Sequence, residues 1–258
     1  MLHILVAFLA SIIGAICGIG GGVIIKPVLD MLSNDGASAI NFMSGCTVLA
    51  MSLYSVGKEL VSKNPTFDYK TLVPLSIGAA IGGILGNQLF QTIKSLFGNE
   101  NNISSIQAIG LGIVVLGSLM YTLRKDKIHT IVVKNTVGIF VIGLLLGTMS
   151  SFLGIGGGPI NIVVLYYFFS YNTKQAAIAS IFVILFGQLS NLGISFLTNK
   201  IPSFDTTSLL LMIVGGIFGG IVGRKMNSKI QEETVDQLFI MIMCVIICIC
   251  IFNVFKYR

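Results

Sequence analysis

Long apolar stretches separated by short polar links make up nearly the whole chain. Segments 71–91, 103–123 and 176–197 run for about 20 residues with almost no charge, which is the length an α-helix needs to cross a hydrocarbon core about 30 Å thick. Similar apolar segments before, between and after them bring the total to about eight. The pattern therefore predicts an all-α polytopic membrane protein.

An internal duplication organises these segments. The pentapeptide Gly-Ile-Gly-Gly-Gly occurs at 18–22 and again, identically, at 154–158, an offset of 136 residues. The sequence thus predicts an N-terminal transmembrane repeat, 1–126, and a C-terminal one, 134–258, each with four segments in the same order. The segments are 2–32, 37–57, 71–91 and 103–123 in the first repeat and 135–169, 176–197, 206–226 and 235–255 in the second. The glycines interrupt the first segment of each repeat.

Composition excludes a soluble fold and sets aside a nucleic-acid partner. Hydrophobic residues make up 54% and charged residues 10% of the chain, whereas soluble domains carry about 25% charge. The net charge of +6 comes from Lys and Arg in the links rather than from a basic patch. The five cysteines lie inside apolar runs without ligand-pair spacing, so they indicate small buried residues and no metal site.

Two topologies fit the distribution of Lys and Arg, which favour the cytoplasmic side of the inner membrane. If all eight segments cross, the side with both termini carries ten basic residues against five, Lys26 being left out, and the termini are cytoplasmic. If each glycine-interrupted segment is a re-entrant hairpin, the repeats are inverted, the count is eleven against four, and the termini lie outside. Both alternatives place links 58–70 and 124–134 in the cytoplasm.

Three consecutive glycines at membrane depth indicate a break in each interrupted segment. Each glycine costs a helix interior about 1 kcal/mol relative to Ala, and a proline such as Pro159 suits the first turn of a new helix. Half-helices are predicted to begin at Val23 and Pro159, where their N–H groups and positive dipole ends favour an anion. The alternative is that the glycines only let two helices cross closely. The candidate glycines are Gly20, Gly21, Gly22, Gly156, Gly157 and Gly158.

Further residues accompany both glycine elements. They read Gly14-x-x-x-Gly18-Ile-Gly-Gly-Gly22 with Pro27, and Gly147-x-x-x-Ser151-x-x-Gly154-Ile-Gly-Gly-Gly158; Met43-Ser44 and Ala179-Ser180 follow one helix later. With these motifs the chain resembles the sulfite exporter TauE/SafE family of membrane transporters over essentially its whole length. Met43 and Ala179 stand where that family has Thr. The resemblance implies transport, as an exporter, of a small anion such as sulfite, a sulfonate or a related organic anion.

Polar residues inside the apolar segments complete the predicted anion site. Lys26 lies one turn into the first half-helix, and a charge at that depth is expensive enough to indicate a function. The alternatives are that it pairs with Asp30 at i+4 or extends to the membrane interface. Asn161 is a candidate donor in the second half-helix. The remaining candidates lie on the helices after the breaks, and they are Ser44, Thr47, Ser180, Gln188 and Asn191.

The residues missing from the segments narrow the function. An embedded enzyme needs a nucleophile with its base or clustered metal ligands, and the sequence offers neither, so no catalytic residue and no cofactor is predicted. The predicted partners are the lipid bilayer and a small anionic substrate, and a homo-oligomer stays open. Acidic residues lie at segment ends or in links, which leaves no proton relay at mid-membrane. An anion channel or a structural subunit of a membrane complex is the alternative function.

Overall fold

The computed structural model describes residues 2–33, 35–61, 68–97, 100–199 and 201–256. The regular structure in these ranges is helical, which confirms the predicted all-α class. The helices are α1 (Leu2–Cys17), α2 (Gly22–Leu32), α3 (Ala37–Leu60), α4 (Tyr69–Phe97), α5 (Glu100–Thr122), α6 (Thr136–Leu153), α7 (Pro159–Phe169), α8 (Thr173–Leu197), α9 (Thr206–Asn227) and α10 (Glu232–Lys256). Among the described residues, α3 to α6 and α8 to α10 are long and apolar enough to cross a membrane.

Several helix ends differ from the predicted segments. The helix α4 continues past residue 91 to Phe97. The helix α8 begins at Thr173 rather than 176, because Asn172 and Gln175 form a capping box that satisfies the first backbone N–H groups. Polar residues at the ends of α4 and α8 therefore belong to helices, and their side chains are held in fixed directions.

The interrupted segments are hairpins that return to the side on which they start. At the open end of α1 and α2, His3 Nε2 lies 3.0 Å from Asp35 Oδ2. At the open end of α6 and α7, the backbone N–H of Ile131 donates to Tyr167 O over 2.7 Å, and the hydroxyls of Thr130 and Ser170 are 2.6 Å apart. The structure therefore has the re-entrant topology, and the helices α3, α4, α5, α8, α9 and α10 make the full crossings.

The two hairpins enter the bundle from opposite sides. Lys256 Nζ, at the end of α10, donates to Asp30 O over 2.7 Å, so the outer end of the α1–α2 hairpin shares one side with the C-terminus. Thr173 Oγ1, just after the α6–α7 hairpin, donates to Asp236 Oδ1 over 3.0 Å at the start of α10. We call the first of these the terminus side and the second the link side. Residues 58–61, 68–70 and 124–134 lie on the link side. Residues 62–67 of the first link are outside the described residues.

Glycines bring each hairpin against a crossing helix from the other half of the chain. A Cβ on Gly82 of α4 would overlap the carbonyl oxygen of Leu144 in α6, and a Cβ on Gly219 of α9 would overlap that of Phe8 in α1. In lipid there is no hydrophobic driving force between helices, so they associate through close van der Waals packing, which small residues permit. The hairpins are thereby held between helices, and α3 and α8 run through the middle of the bundle, where most of their residues are buried.

Candidate functional site

The hairpin tips, residues 18–22 and 154–158, turn through backbone conformations that favour glycine. Gly20 has φ +73° and Gly156 has φ +69°, in the left-handed region where a Cβ is disfavoured. The helix α2 then begins at Gly22 and α7 at Pro159. Both half-helices therefore start in the interior of the bundle and run outward, toward opposite sides.

The two tips are in direct contact. A Cβ on Gly22 would overlap the carbonyl oxygen of Ile155. A Cβ on Gly158 would lie 3.8 Å from Val23 Cγ2. The N-terminal ends of α2 and α7 are therefore neighbours, and backbone from both hairpins borders the same space.

Each tip also packs against the central helix of the opposite half. A Cβ on Gly20 would lie 3.1 Å from Ile184 Cδ1 in α8, and one on Gly156 would lie 3.1 Å from Val48 Cγ1 in α3. Val48 and Ile184 are themselves 136 residues apart, as the two glycines are. The contact of one tip is thus repeated by the other with the halves exchanged, which supports the predicted two-fold relation between the repeats.

Buried polar side chains without partners lie beside the second tip and on the helices that pack against both tips. Both amide atoms of Asn161, Oε1 of Gln188 and the hydroxyls of Ser44 and Ser180 have no hydrogen-bond partner in the part of the chain that the structure describes. These four side chains are at most 2% exposed. An unsatisfied buried polar group costs about 1–3 kcal/mol. Such a group is kept where a ligand or water binds it, so this set marks the candidate site.

The two amides of this set lie directly beside the second tip. Asn161 Nδ2 is 3.5 Å from the Cβ position of Gly157, and Gln188 Nε2 is 2.9 Å from that of Gly156. Ser44 and Ser180 each lie one helical turn before the residue that packs on a tip, Val48 or Ile184. The structure therefore places Asn161 and Gln188 at the second tip, and Ser44 and Ser180 on the helices that pack against the tips.

Two other predicted residues have different surroundings. Thr47 Oγ1 donates to Met43 O over 2.8 Å within its own helix, and its methyl group faces Gly216 of α9. Gly21 has a helical φ of −68°, and a Cβ there would lie 3.0 Å from Ser11 Oγ. Thr47 is thus directed away from the tips, and Gly21 borders α1.

Lys26 is paired along its own helix. Its Nζ donates to Asp30 Oδ2 over 2.9 Å, and the two side chains are 2% and 4% exposed. The helix α10 covers this part of α2, since Asn253 Nδ2 donates to Pro27 O over 2.9 Å. The pair corresponds to the alternative interpretation of Lys26, and its role toward an anion stays a prediction.

Asn191 lines a polar cavity on the terminus side, which we call the access cavity. It has a volume of about 240 Å³ and reaches Gly154, the first glycine of the second tip. Its other polar lining residues were not predicted as site residues, and they are Ser38, Asn41, Asn87, Gln91, Lys94, Ser151 and Ser195. The helical spacing of Asn87, Gln91 and Lys94 is the signal that could have found them.

Broken helices in two opposed hairpins, packed by glycine and with buried polar groups near their tips, define a polytopic helical membrane protein whose irregular backbone lies in the protein interior. The chain belongs to the family described as sulfite exporter TauE/SafE, whose model matches residues 3–249. The protein is therefore a multi-pass membrane transporter.

Curated relatives agree with this class. The chain is 23% identical over 211 residues to "Probable membrane transporter protein YunE" of Bacillus subtilis (strain 168), covering 72% of this chain and 74% of that protein. It is 27% identical over 210 residues to "Probable membrane transporter protein MJ0441" of Methanocaldococcus jannaschii, covering 76% and 72%. No solved structure matches the chain.

Proposed function

We propose that the protein exports a small anion, such as sulfite, a sulfonate or a related organic anion, and binds it between the hairpin tips. The observation that carries the proposal is the contact of the two tips beside buried polar groups without partners. Half-helices that present their N-termini to one interior point favour negative charge there. The family membership supports the same substrate class.

Neutral donors hold the anion in this proposal. The amides of Asn161 and Gln188 and the hydroxyls of Ser44 and Ser180 would replace part of the hydration shell, and the dipoles of α2 and α7 would supply the favourable potential. Lys26 is already paired with Asp30, so the site does not depend on its charge. An anion held by dipoles binds weakly enough to leave, which transport requires.

The distribution of Lys and Arg supports an assignment of the two sides. With re-entrant hairpins, the link side carries eleven Lys and Arg residues against four on the terminus side, and such residues favour the cytoplasm. We therefore infer that links 58–70 and 124–134 are cytoplasmic and that the termini lie outside. An exporter then takes its anion from the link side and releases it through the access cavity.

Anion flux from proteoliposomes tests the function. The purified protein should release labelled sulfite, methanesulfonate or acetate at a rate that saturates, and unlabelled anion on the opposite side should drive counterflow. Saturable counterflow identifies a carrier. Conductance without counterflow would support the alternative of a channel, and no flux of any anion in the panel would favour a structural subunit.

One substitution and a matched control test the site itself. We expect Asn161→Leu to raise the half-saturation concentration about ten-fold or more while leaving thermal stability equal or higher, because the amide is buried without a partner and costs free energy in the empty protein. Thr47→Val removes a hydroxyl that donates to Met43 O within its own helix, so its kinetics should match the wild type. Equal kinetics for Asn161→Leu and wild type would remove Asn161 from the site.

A further inference from the structure

Asn161 presents both a hydrogen-bond acceptor and a donor to the interior of the bundle. Its Oδ1 and Nδ2 atoms have no partner in the part of the chain that the structure describes, and the residue is 1% exposed. Nδ2 lies 3.5 Å from the Cβ position of Gly157, at the second tip. Turning the amide over exchanges the two atoms, but one donor and one acceptor must still be satisfied. A ligand that both accepts and donates therefore satisfies this side chain completely, and one that only accepts does not.

The neighbouring amide of Gln188 has a different orientation. Its Nε2 lies 2.9 Å from the Cβ position of Gly156 at the tip, whereas its Oε1 lies 2.9 Å from that of Gly45 in α3. The nitrogen of Gln188 thus borders the second tip, and the oxygen faces α3. Asn161, in the first turn of α7, is therefore the residue of the two that carries an acceptor at the start of a half-helix.

The two halves of the chain differ at the positions of these amides. The residues matched with Asn161 and Gln188, at the offset of 136, are Ile25 and Ser52. Ile25 is fully buried and apolar, and Ser52 Oγ donates to Leu49 O over 3.0 Å within its own helix. The amide pair thus has no counterpart at the matched positions of the first half. The two ends of a ligand held between the tips would therefore meet different chemistry.

We propose that the transported substrate is a small organic anion that also carries a hydroxyl group, such as a hydroxysulfonate, and that Asn161 recognises this hydroxyl. The inference rests on the proposed function and narrows its substrate class. The anionic oxygens of the substrate accept hydrogen bonds, and the dipoles of α2 and α7 favour their charge. The hydroxyl supplies the proton that Asn161 Oδ1 needs, which a simple alkylsulfonate or a fully deprotonated sulfite ion lacks.

The selectivity comes from the acceptor of Asn161 that stays unsatisfied when another anion binds. A site with a buried acceptor rejects an analogue without the hydroxyl, because the acceptor is kept from water and gains no hydrogen bond. An apolar group in the same place adds contact area but gives Asn161 Oδ1 no proton. A hydroxyl on the substrate therefore strengthens binding here more than a methyl group of similar size.

Transport of two matched anions by wild-type proteoliposomes tests the inference. Hydroxyethanesulfonate and propanesulfonate carry the same charge and the same number of non-hydrogen atoms, and a methyl group in the second replaces the hydroxyl of the first. We expect the half-saturation concentration of hydroxyethanesulfonate to be about ten-fold lower or more. Burial of apolar area alone would give the opposite order, because the methyl group loses less hydration than the hydroxyl.

Variants show whether Asn161 causes the preference. Asn161→Leu should bring the two half-saturation concentrations within about two-fold of each other, and Asn161→Ser, which keeps a donor and an acceptor, should retain part of the difference. Thr47→Val should keep the wild-type ratio, since its hydroxyl donates to Met43 O within its own helix.

Two further outcomes separate this inference from the proposed function. If wild type transports both sulfonates with equal half-saturation concentrations, or if Asn161→Leu keeps the wild-type ratio, Asn161 does not recognise a substrate hydroxyl, although anion transport itself stands. If wild type moves neither sulfonate and no other anion, the proposed function fails as well.

Discussion

The buried pair of Lys26 and Asp30 gives a test at the scale of single residues. Both side chains are almost fully buried, so Lys26→Met breaks a buried ion pair and should lower the free energy of unfolding by about 3–5 kcal/mol. Replacing both residues, as Lys26→Met/Asp30→Met, removes both charges and should recover most of the loss. Thermal unfolding in detergent measures both effects.

The double variant also decides whether Lys26 binds the anion. If the pair is structural, the folded double variant should transport with the half-saturation concentration of wild type. If a double variant of normal stability instead has a half-saturation concentration ten-fold or more above that of wild type, Lys26 belongs to the anion site, as its position in the sequence predicts.

Single residues also show what the sequence could and could not predict. Asn161, Gln188, Ser44 and Ser180 could be found because polar residues in apolar segments near a break are few and each needs a partner. Thr47 has the same appearance in the sequence, but a helical threonine can always bond the carbonyl one turn earlier, as it does to Met43. Whether a hydroxyl bonds its own helix or faces the candidate site depends on the direction of its side chain, and the sequence pattern does not define that direction.

At the scale of helices, the glycines of α4 and α9 make a prediction about stability. Gly82→Ala places a methyl group on the backbone of α6 and should lower stability by about 1–3 kcal/mol, because two packed backbones would have to separate. Gly219→Ala should do the same to α1 and α9. Thermal unfolding of the purified variants measures both.

Gly117 provides the control within the same kind of helix. It lies inside α5, and a Cβ there would meet nothing within 4 Å. Gly117→Ala should therefore keep the wild-type stability or raise it by up to about 1 kcal/mol, since alanine favours the helix. Equal losses for Gly82→Ala and Gly117→Ala would show that the glycine contacts between α4 and α6 do not hold the bundle together.

The broken helices were predictable as breaks but not as hairpins. Glycine triplets and Pro159 indicate where one helix stops and the next begins, because helix ends depend on local backbone energies. The direction in which the second half-helix leaves depends on what packs against it, here α8 and α5 for α7. The charge counts of the two topologies differed by one residue on each side, which is too small a difference to decide between them.

At the scale of the whole molecule, the topology predicts which links can be labelled from outside. In a cysteine-free background, Thr198→Cys should react with a membrane-impermeant maleimide on intact cells, because the re-entrant topology places the end of α8 outside. Lys127→Cys and Lys229→Cys should react only after the membrane is permeabilised. If Lys229→Cys reacts on intact cells and Thr198→Cys does not, the interrupted segments cross the membrane.

The packing of α1 against α9 has a consequence for how the protein is made. Phe8 and its partner Gly219 are separated by about 200 residues, which a ribosome adds in roughly 10–40 s at 5–20 residues per second. Throughout that time the first hairpin lacks the helix that covers it, whereas the second hairpin emerges when α4 is already in place. Assembly in the bilayer is therefore ordered: the hairpin that is synthesised first is the last to be enclosed.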